Sequence, residues 1–157
     1  NFIGAPFNGK LAEKLEQQLT QQAPPSSGQV HTLAGIQNAV RAELGKLGYL
    51  LSRSLPLLVL SFTPVINILA PALWFLFGAW ILALEYMDYP MGNHGILFAE
   101  QRQRLQQRRG LALGLGVGIL ILTFIPVLNF LAMPVAVAGA TELWSKYLSA
   151  NTVISAK

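Results

Sequence analysis

The chain has 157 residues, of which 53% are hydrophobic and 11% are charged, and its mean hydropathy is +0.47. A soluble domain carries about a quarter charged residues. No Asp, Glu, Lys or Arg occurs in the 31 residues of 54–84 or in the 32 residues of 110–141. Uncharged apolar stretches of this length are typical of proteins that contact lipid. The composition therefore predicts an all-α integral membrane protein, with a single membrane domain over residues 1–157.

Charge and cysteine content exclude several other classes of protein. The net charge of +4 does not indicate a nucleic-acid partner, because the basic residues flank the apolar stretches and form no basic face interleaved with aromatic side chains. The chain has no cysteine, which excludes disulfides, thiolate catalysis and Cys-based metal sites. The chain begins with Asn1 and enters directly into an apolar segment, so we expect that an upstream part of the protein is missing.

Residues 9–50 predict two amphipathic helices joined by a polar loop at 21–29 that is rich in Pro, Ser and Gly. The first helix has Asn8 as its predicted N-cap and repeats leucine every four residues, at Leu11, Leu15 and Leu19. The second helix starts near Thr32 and continues into the first apolar stretch. We expect these helices to lie at the membrane interface or to pack on a partner helix.

The two apolar stretches contain a repeated motif. SFTPVINILAP (61–71) and TFIPVLNFLAM (123–133) share Phe, Pro, Asn, Leu and Ala at an offset of 62 residues. A helix of 31 or 32 residues is roughly 47 Å long, which exceeds the hydrocarbon core of about 30 Å, whereas two full spans need about 40 apolar residues. Each stretch therefore predicts a helical hairpin that enters the membrane part-way, the first over 54–84 and the second over 110–141.

The repeated proline and asparagine suit the tips of these hairpins. Pro64 and Pro126 break the helix, and the broken turn leaves backbone groups that lipid cannot satisfy. The side chains of Asn67 and Asn129 offer both a donor and an acceptor. Two interpretations stay open and are compatible: the amides satisfy the broken turns, or they line a polar path through the membrane.

The segment 85–109 predicts a polar connection followed by a basic helix. EYMDYPMGNHG (85–95) reads as a turn-rich linker, and the helix after it carries several arginines, among them Arg102 and Arg109. These arginines either hold the helix at lipid head groups or attract anions. Two ridges of small residues predict close helix packing. The first consists of Gly110, Gly114 and Gly118, with Gly116 beside it, and the second of Ala132, Ala136 and Ala140.

The sequence carries no pattern typical of an enzyme. Its two histidines, His31 and His94, have no second ligand at metal-binding spacing, so we predict no metal site and no cofactor. No nucleophile elbow, phosphate-binding loop or zinc-protease motif occurs. Transport and membrane association remain as the classes of function that fit.

The chain resembles the CysZ sulfate permeases of bacterial inner membranes. The resemblance is carried by APFNGKLAEKLE (5–16), APALWFLFGAW (70–80), YMDYPMGNH (86–94) and FIPVLNFLAMPVAVAGAT (124–141), in the order and spacing of that family. It implies sulfate uptake that supplies cysteine biosynthesis. It also implies transmembrane helices combined with part-penetrating hairpins, and assembly into dimers or larger homo-oligomers.

Two departures from the family pattern affect the site residues that the resemblance implies. The N-terminal part of the family, with a Pro-x-x-Arg-Arg sulfate-binding element, is absent from this sequence. The family motif Gly-Leu-Leu-Ala-Glu appears here as GKLAE (9–13), in which Lys10 departs from the pattern. The resemblance implies that Gly9 and Glu13 belong to the transport pathway.

The leading hypothesis is therefore a sulfate-conducting membrane protein whose partners are sulfate, membrane lipid and further copies of itself. The candidates for its pathway are Gly9, Glu13, Asn67, Asn129, Arg102 and Arg109. Two alternatives stay open. The first is a non-conducting hairpin protein that shapes or anchors to membranes, and the second is an accessory subunit of another transporter.

Overall fold

The computed structural model describes residues 5–21, 33–64 and 66–149, and every regular element in these ranges is helical. The elements are α1 (Ala5–Thr20), α2 (Leu33–Ser61), a 3-10 turn (Ile66–Leu69), α3 (Ala70–Asn93), α4 (Phe98–Gln107), α5 (Arg109–Phe124), α6 (Pro126–Leu143) and a π-helical turn (Trp144–Leu148). The prediction of an all-α protein is confirmed for the described ranges. The predicted loop beyond Gln21, His31 and the predicted helix start at Thr32 lie outside the described residues.

Helices break at both copies of the repeated motif. The first break separates α2 from α3, which has a proline in its first turn, and the second separates α5 from α6, which begins at Pro126. Proline suits the first turn of a helix, because its missing N–H would have no partner there and its fixed φ is already helical. The same chemistry that ends one helix therefore starts the next.

Contacts across each break bring the flanking helices side by side. The indole of Trp74 donates to the hydroxyl of Ser61 at 3.0 Å, and farther from the break the indole of Trp80 donates to the hydroxyl of Tyr49 at 2.9 Å. Across the second break, a Cβ atom built on Gly139 of α6 would lie 3.3 Å from the Leu115 side chain of α5. Helix α2 therefore folds back on α3, and α5 folds back on α6.

Small side chains allow α3, α5 and α6 to pack closely. A Cβ atom on Gly116 of α5 would collide with the backbone carbonyl of Ala79 in α3, so only glycine fits at this position. The predicted alanine ridge on α6 is confirmed, because Ala132, Ala136 and Ala140 are all buried. Close backbone approach of this kind provides the van der Waals packing that replaces a hydrophobic driving force between helices in lipid.

The predicted glycine ridge on α5 is wrong as a packing surface among the described residues. Cβ atoms built on Gly110, Gly114 and Gly118 would meet no heavy atom within 4 Å, and all three residues are exposed. The close contact is made by Gly116, which lies on the opposite side of the helix. Three ridge positions share a face because they are four residues apart, but spacing alone does not say which face meets a neighbour.

The prediction of a turn-rich linker at 85–95 is also wrong over most of its length. Helix α3 continues through Pro90 to Asn93, and only His94–Leu97 form a connection. The physical reason is packing, because Met87, Pro90 and Met91 are buried on the face that meets the core. Burial of these side chains offsets the backbone hydrogen bond that a proline removes from a helix.

The predicted basic helix ends earlier than the sequence suggests. Helix α4 stops at Gln107, Arg108 adopts a non-helical conformation, and α5 starts at Arg109 at an angle of 104° to α4. Within the described ranges, Asn67–Asn93 is the one helix whose length (27 residues) and composition suit a full membrane crossing, and the bent pair α4–α5 adds at most a second.

Candidate functional site

One face of α1 buries two polar side chains. Asn8, Ala12 and Glu16 are four residues apart, and all three are buried against α3 and the end of α6, whereas Leu19 of the predicted stripe is 48% exposed. Asn8 lies inside the helix, because α1 begins at Ala5, so the prediction that Asn8 is the N-cap is wrong. Lysine and glutamine side chains on the other faces of α1 are exposed, whereas Asn8 and Glu16 have hydrogen-bond partners inside the bundle.

Glu16 is the centre of a buried polar group that we call the Glu16 cluster, formed by Glu16, His94 and Trp144. The Glu16 side chain is only 5% exposed. Its Oε1 lies 2.7 Å from Nε2 of His94 and accepts a hydrogen bond of 3.1 Å from the Trp144 indole. Its Oε2 is buried and has no hydrogen-bond partner among the described residues. The cluster joins α1, the end of α3 and the π-helical turn.

Two further hydrogen bonds attach α1 to the end of α3. The amide of Asn8 donates to the hydroxyl of Tyr89 at 3.2 Å, and the amide of Asn93 donates to the backbone carbonyl of Gly9 at 3.0 Å. A Cβ atom on Gly9 would meet the Asn93 side chain at 3.8 Å, an ordinary contact distance, so glycine is not required there by space. Gly9 therefore contributes its carbonyl to a polar seam between α1 and α3.

Glu13 lies on α1 one turn before Glu16 but has a different environment. Its side chain is partly exposed, and it has neither an ion pair nor a hydrogen bond within the described part of the chain. Glu16 is thus held by two partners inside the bundle, while Glu13 is available at its edge.

A second polar group, which is partly exposed, joins α2, α3 and α4. Lys46 forms ion pairs with Glu43 and Asp88, and the amide of Gln101 donates to Asp88 at 2.7 Å and to the carbonyl of Ile96 at 2.9 Å. Burial alone would lower the pKa of Lys46, but its attraction to Asp88 and Glu43 outweighs that effect and raises the pKa above its ordinary value. The positive charge of Lys46 therefore holds these three helices together.

The two predicted arginines lie on either side of the bend between α4 and α5. The guanidinium carbon of Arg102 lies 5.0 Å from the ring centroid of Tyr49, and its buried Nε has no acceptor among the described residues. Arg109 is exposed, and its Nε donates to the carbonyl of Gln106 at 3.2 Å. Arg102 is thus partly enclosed by neighbouring helices, whereas Arg109 reaches outward.

The predicted tip residues lie on the outside of the bundle. Pro64 and Pro126 are exposed, and so are the side chains of Asn67 and Asn129. The backbone N–H of Asn67 donates to the carbonyl of Thr63 at 3.0 Å, and that of Asn129 donates to the carbonyl of Ile125 at 2.9 Å. Neither side-chain amide has a hydrogen-bond partner among the described residues, so the expected closure of the turns by these amides does not occur there. Each turn is closed by backbone groups instead.

The structure thus assembles only part of the predicted set of pathway residues. Gly9 takes part in the polar seam, but Asn67 and Asn129 lie at separate helix breaks. The sequence analysis missed Glu16 and Trp144, and it considered His94 only as a metal ligand. The spacing of Asn8 and Glu16 was the available signal, since residues eight positions apart lie on the same side of a helix.

Comparisons with known proteins identify the family to which the chain is similar. The family model described as "Sulfate transporter CysZ/Etoposide-induced protein 2.4" matches residues 1–134. Proteins named sulfate transporter CysZ are similar over 145 residues, or 92% of this chain, at 46% identity in Pectobacterium atrosepticum, 43% in Vibrio parahaemolyticus and 45% in Salmonella typhi. The chain spans 53%, 59% and 57% of the length of these three relatives.

Proposed function

The chain belongs to the sulfate transporter CysZ/etoposide-induced protein 2.4 family, and from this membership we propose that it forms part of a sulfate permease of the bacterial inner membrane. The whole protein would take up sulfate for cysteine biosynthesis. The relatives that carry the name sulfate transporter CysZ support this substrate. The chain covers little more than half of those relatives, so the proposed activity is that of the complete protein.

The observation that best supports conduction is the exposure of two polar side chains at the helix breaks. A sulfate dianion does not cross hydrocarbon unless side chains and backbone dipoles replace its water. The amides of Asn67 and Asn129 can donate hydrogen bonds to it, and neither has a side-chain partner within the described residues. The family motif that GKLAE (9–13) resembles lies on α1, where the carbonyl of Gly9 accepts a hydrogen bond from α3 in the polar seam between the two helices. We place the start of the pathway along this seam, with Glu13 at its accessible edge.

We further propose that the pairs α2–α3 and α5–α6 enter the membrane part-way. Helices α5 and α6 have 16 and 18 residues, or roughly 24 and 27 Å, less than a hydrocarbon core of about 30 Å. The stretch Asn67–Asn93 is long enough for a full crossing, but the uncharged part of α3 ends before Glu85, so its apolar length is similarly short. The exposed phenylalanines beside the breaks, Phe62 (81%) and Phe130 (88%), suit insertion into lipid.

The remaining candidate residues supply polar and charged groups at other depths of the proposed pathway. The exposed amides of Asn67 and Asn129 have no partner within the described part of the chain, so they remain available to an anion or to water. Arg102 and Arg109 supply positive charge near the polar ends of the helices. Broken helices that expose polar groups at membrane depth are a recurrent way of building transport sites. Because the two breaks are separate within one chain, we propose that a dimer or larger homo-oligomer brings several of them together.

Uptake of labelled sulfate into liposomes tests the proposal. The whole protein, purified and reconstituted, should take up sulfate faster than protein-free liposomes. Equal rates in both, together with deformation of the vesicles, would favour a non-conducting hairpin protein. Uptake that appears only when a second membrane protein is present would favour an accessory subunit.

A further inference from the structure

Two arginines from different helices converge on one tyrosine ring. The guanidinium carbon of Arg102 in α4 lies 5.0 Å from the ring centroid of Tyr49, and that of Arg53 in α2 lies 5.9 Å from the same centroid. A guanidinium within about 6 Å of an aromatic face is attracted by the ring quadrupole. Both guanidinium groups therefore lie beside the same ring at the junction of α2 and α4, and we call Arg53 and Arg102 the arginine pair.

Neither member of the arginine pair has an acidic partner among the described residues. Lys46, Arg104 and Lys146 do have one, whereas the exposed Arg41, Arg108 and Arg109 have none within the described ranges. Two like charges that share a ring without a counter-charge repel each other. The Nε of Arg102 is in addition buried without an acceptor in the described part of the chain, which is unfavourable for a charged donor. An anion at this junction would relieve both costs.

Neighbouring side chains fix the position of the Tyr49 ring that both arginines contact. The hydroxyl of Tyr49 accepts a hydrogen bond of 2.9 Å from the Trp80 indole, and the ring packs edge-on against Phe98 with 5.9 Å between centroids. Arg102 is partly buried and has little freedom, while Arg53 is exposed and can move. The junction therefore combines one fixed and one movable guanidinium, an arrangement that can close on a ligand.

We propose that Arg53, Arg102 and Tyr49 form a binding site for a tetrahedral oxyanion. Each guanidinium offers a planar fork of donors that matches two oxygens of such a group, and two forks match a dianion. The oxyanion is either sulfate from solution or the phosphate of a lipid head group. The sulfate source rests on the proposed transport function, whereas the lipid source does not.

Substitutions at the arginine pair test the site with two probes. Arg53→Gln removes an exposed charge without disturbing the core, and Arg102→Lys keeps the charge but removes the fork. Binding of labelled sulfate is measured by equilibrium dialysis of the detergent-purified protein. Retention of phosphatidylglycerol is measured by native mass spectrometry. Each substitution should weaken at least one of the two by about tenfold, the size expected for a lost charge-assisted hydrogen bond.

Arg41→Gln is the matched control, because Arg41 is also exposed on α2 but lies away from Tyr49. It should leave both kinds of binding unchanged. The proposal is overturned if Arg53→Gln and Arg102→Lys bind sulfate and phosphatidylglycerol as tightly as the control does. If the natural protein shows no sulfate flux but the two variants lose lipid retention, the transport function is overturned and this site is supported. If the natural protein shows sulfate flux but both variants bind sulfate and lipid unchanged, the transport function is supported and this site is overturned.

Discussion

The Glu16 cluster and the two helix breaks place polar side chains in opposite circumstances. In the cluster, Glu16 is buried and bonded to His94 and Trp144, whereas at the breaks Asn67 and Asn129 are exposed and have no side-chain partner within the described ranges. The first arrangement stabilises the fold, and the second leaves groups free to meet an anion. The comparison separates residues that build the protein from residues that are available for transport.

The largest effect is expected from Glu16→Ala, which removes the centre of the buried cluster. The substitution leaves the Trp144 indole and the His94 ring without their acceptor inside the bundle. Leaving a buried donor without its acceptor costs about 1–3 kcal/mol of the free energy of unfolding for each donor. Thermal unfolding in detergent measures the loss. Glu13→Ala on the same helix is the control and should change stability by less than about 0.5 kcal/mol. Equal losses in the two variants would contradict the distinction between the two glutamates.

A smaller loss is expected from Gly116→Ala. Its Cβ atom would collide with the backbone of Ala79, so α3 and α5 must separate, at a cost of about 1–3 kcal/mol or more. Gly114→Ala, two residues away on the opposite side of α5, meets open space and should be neutral or stabilising by up to about 1 kcal/mol. The same unfolding measurement checks both. If Gly114→Ala destabilises as much as Gly116→Ala, the packing of α5 described above is incorrect.

The double substitution Asn67→Leu and Asn129→Leu tests the exposed amides at the two helix breaks. Because neither amide is bonded within the described residues, the free energy of unfolding should change by less than about 0.5 kcal/mol. Sulfate flux should fall roughly tenfold, since the path loses donors to the anion. Flux and unfolding are measured on the same preparation. A folded double variant with full flux would remove both asparagines from the pathway.

The smallest effect concerns the ion pairs of Lys46. The pKa of Lys46 is raised above 10.5 in the folded protein, so its contribution to stability is complete below pH 10.5 and is lost as pH rises through the raised pKa. The contribution should be at most about 1 kcal/mol, since the pair is partly exposed. Stability measured at pH 9 and pH 11 should fall more for the natural protein than for Lys46→Met. An equal fall in both would show that Lys46 is not responsible.

The chemistry of proline allowed both helix breaks to be predicted, but it did not predict which prolines lie inside a helix. Pro64 and Pro126 mark both breaks correctly because a missing N–H acts locally. Pro90 has the same chemistry but lies inside α3, and the exposed Pro56 and Pro134 lie inside α2 and α6. The proline rule therefore predicts more helix ends than the structure has, and burial of the proline does not explain every exception.

The candidate site was harder to predict than the fold. The leucine periodicity of α1 predicted an amphipathic helix, yet Leu19 is exposed and Glu16 is buried. Hydrophobic periodicity finds a face but does not say whether that face meets protein or lipid. The arginine pair could not be predicted from the sequence either, because Arg53 and Arg102 are distant along the chain and are related only by their contacts with Tyr49.

Sulfate flux through the reconstituted protein tests the central claim most directly, when it is measured for the natural protein and the Asn67→Leu, Asn129→Leu variant at equal amounts of folded protein. The account predicts uptake above that of empty liposomes for the natural protein and a clear reduction for the variant. Uptake by the natural protein no faster than by empty liposomes would contradict it.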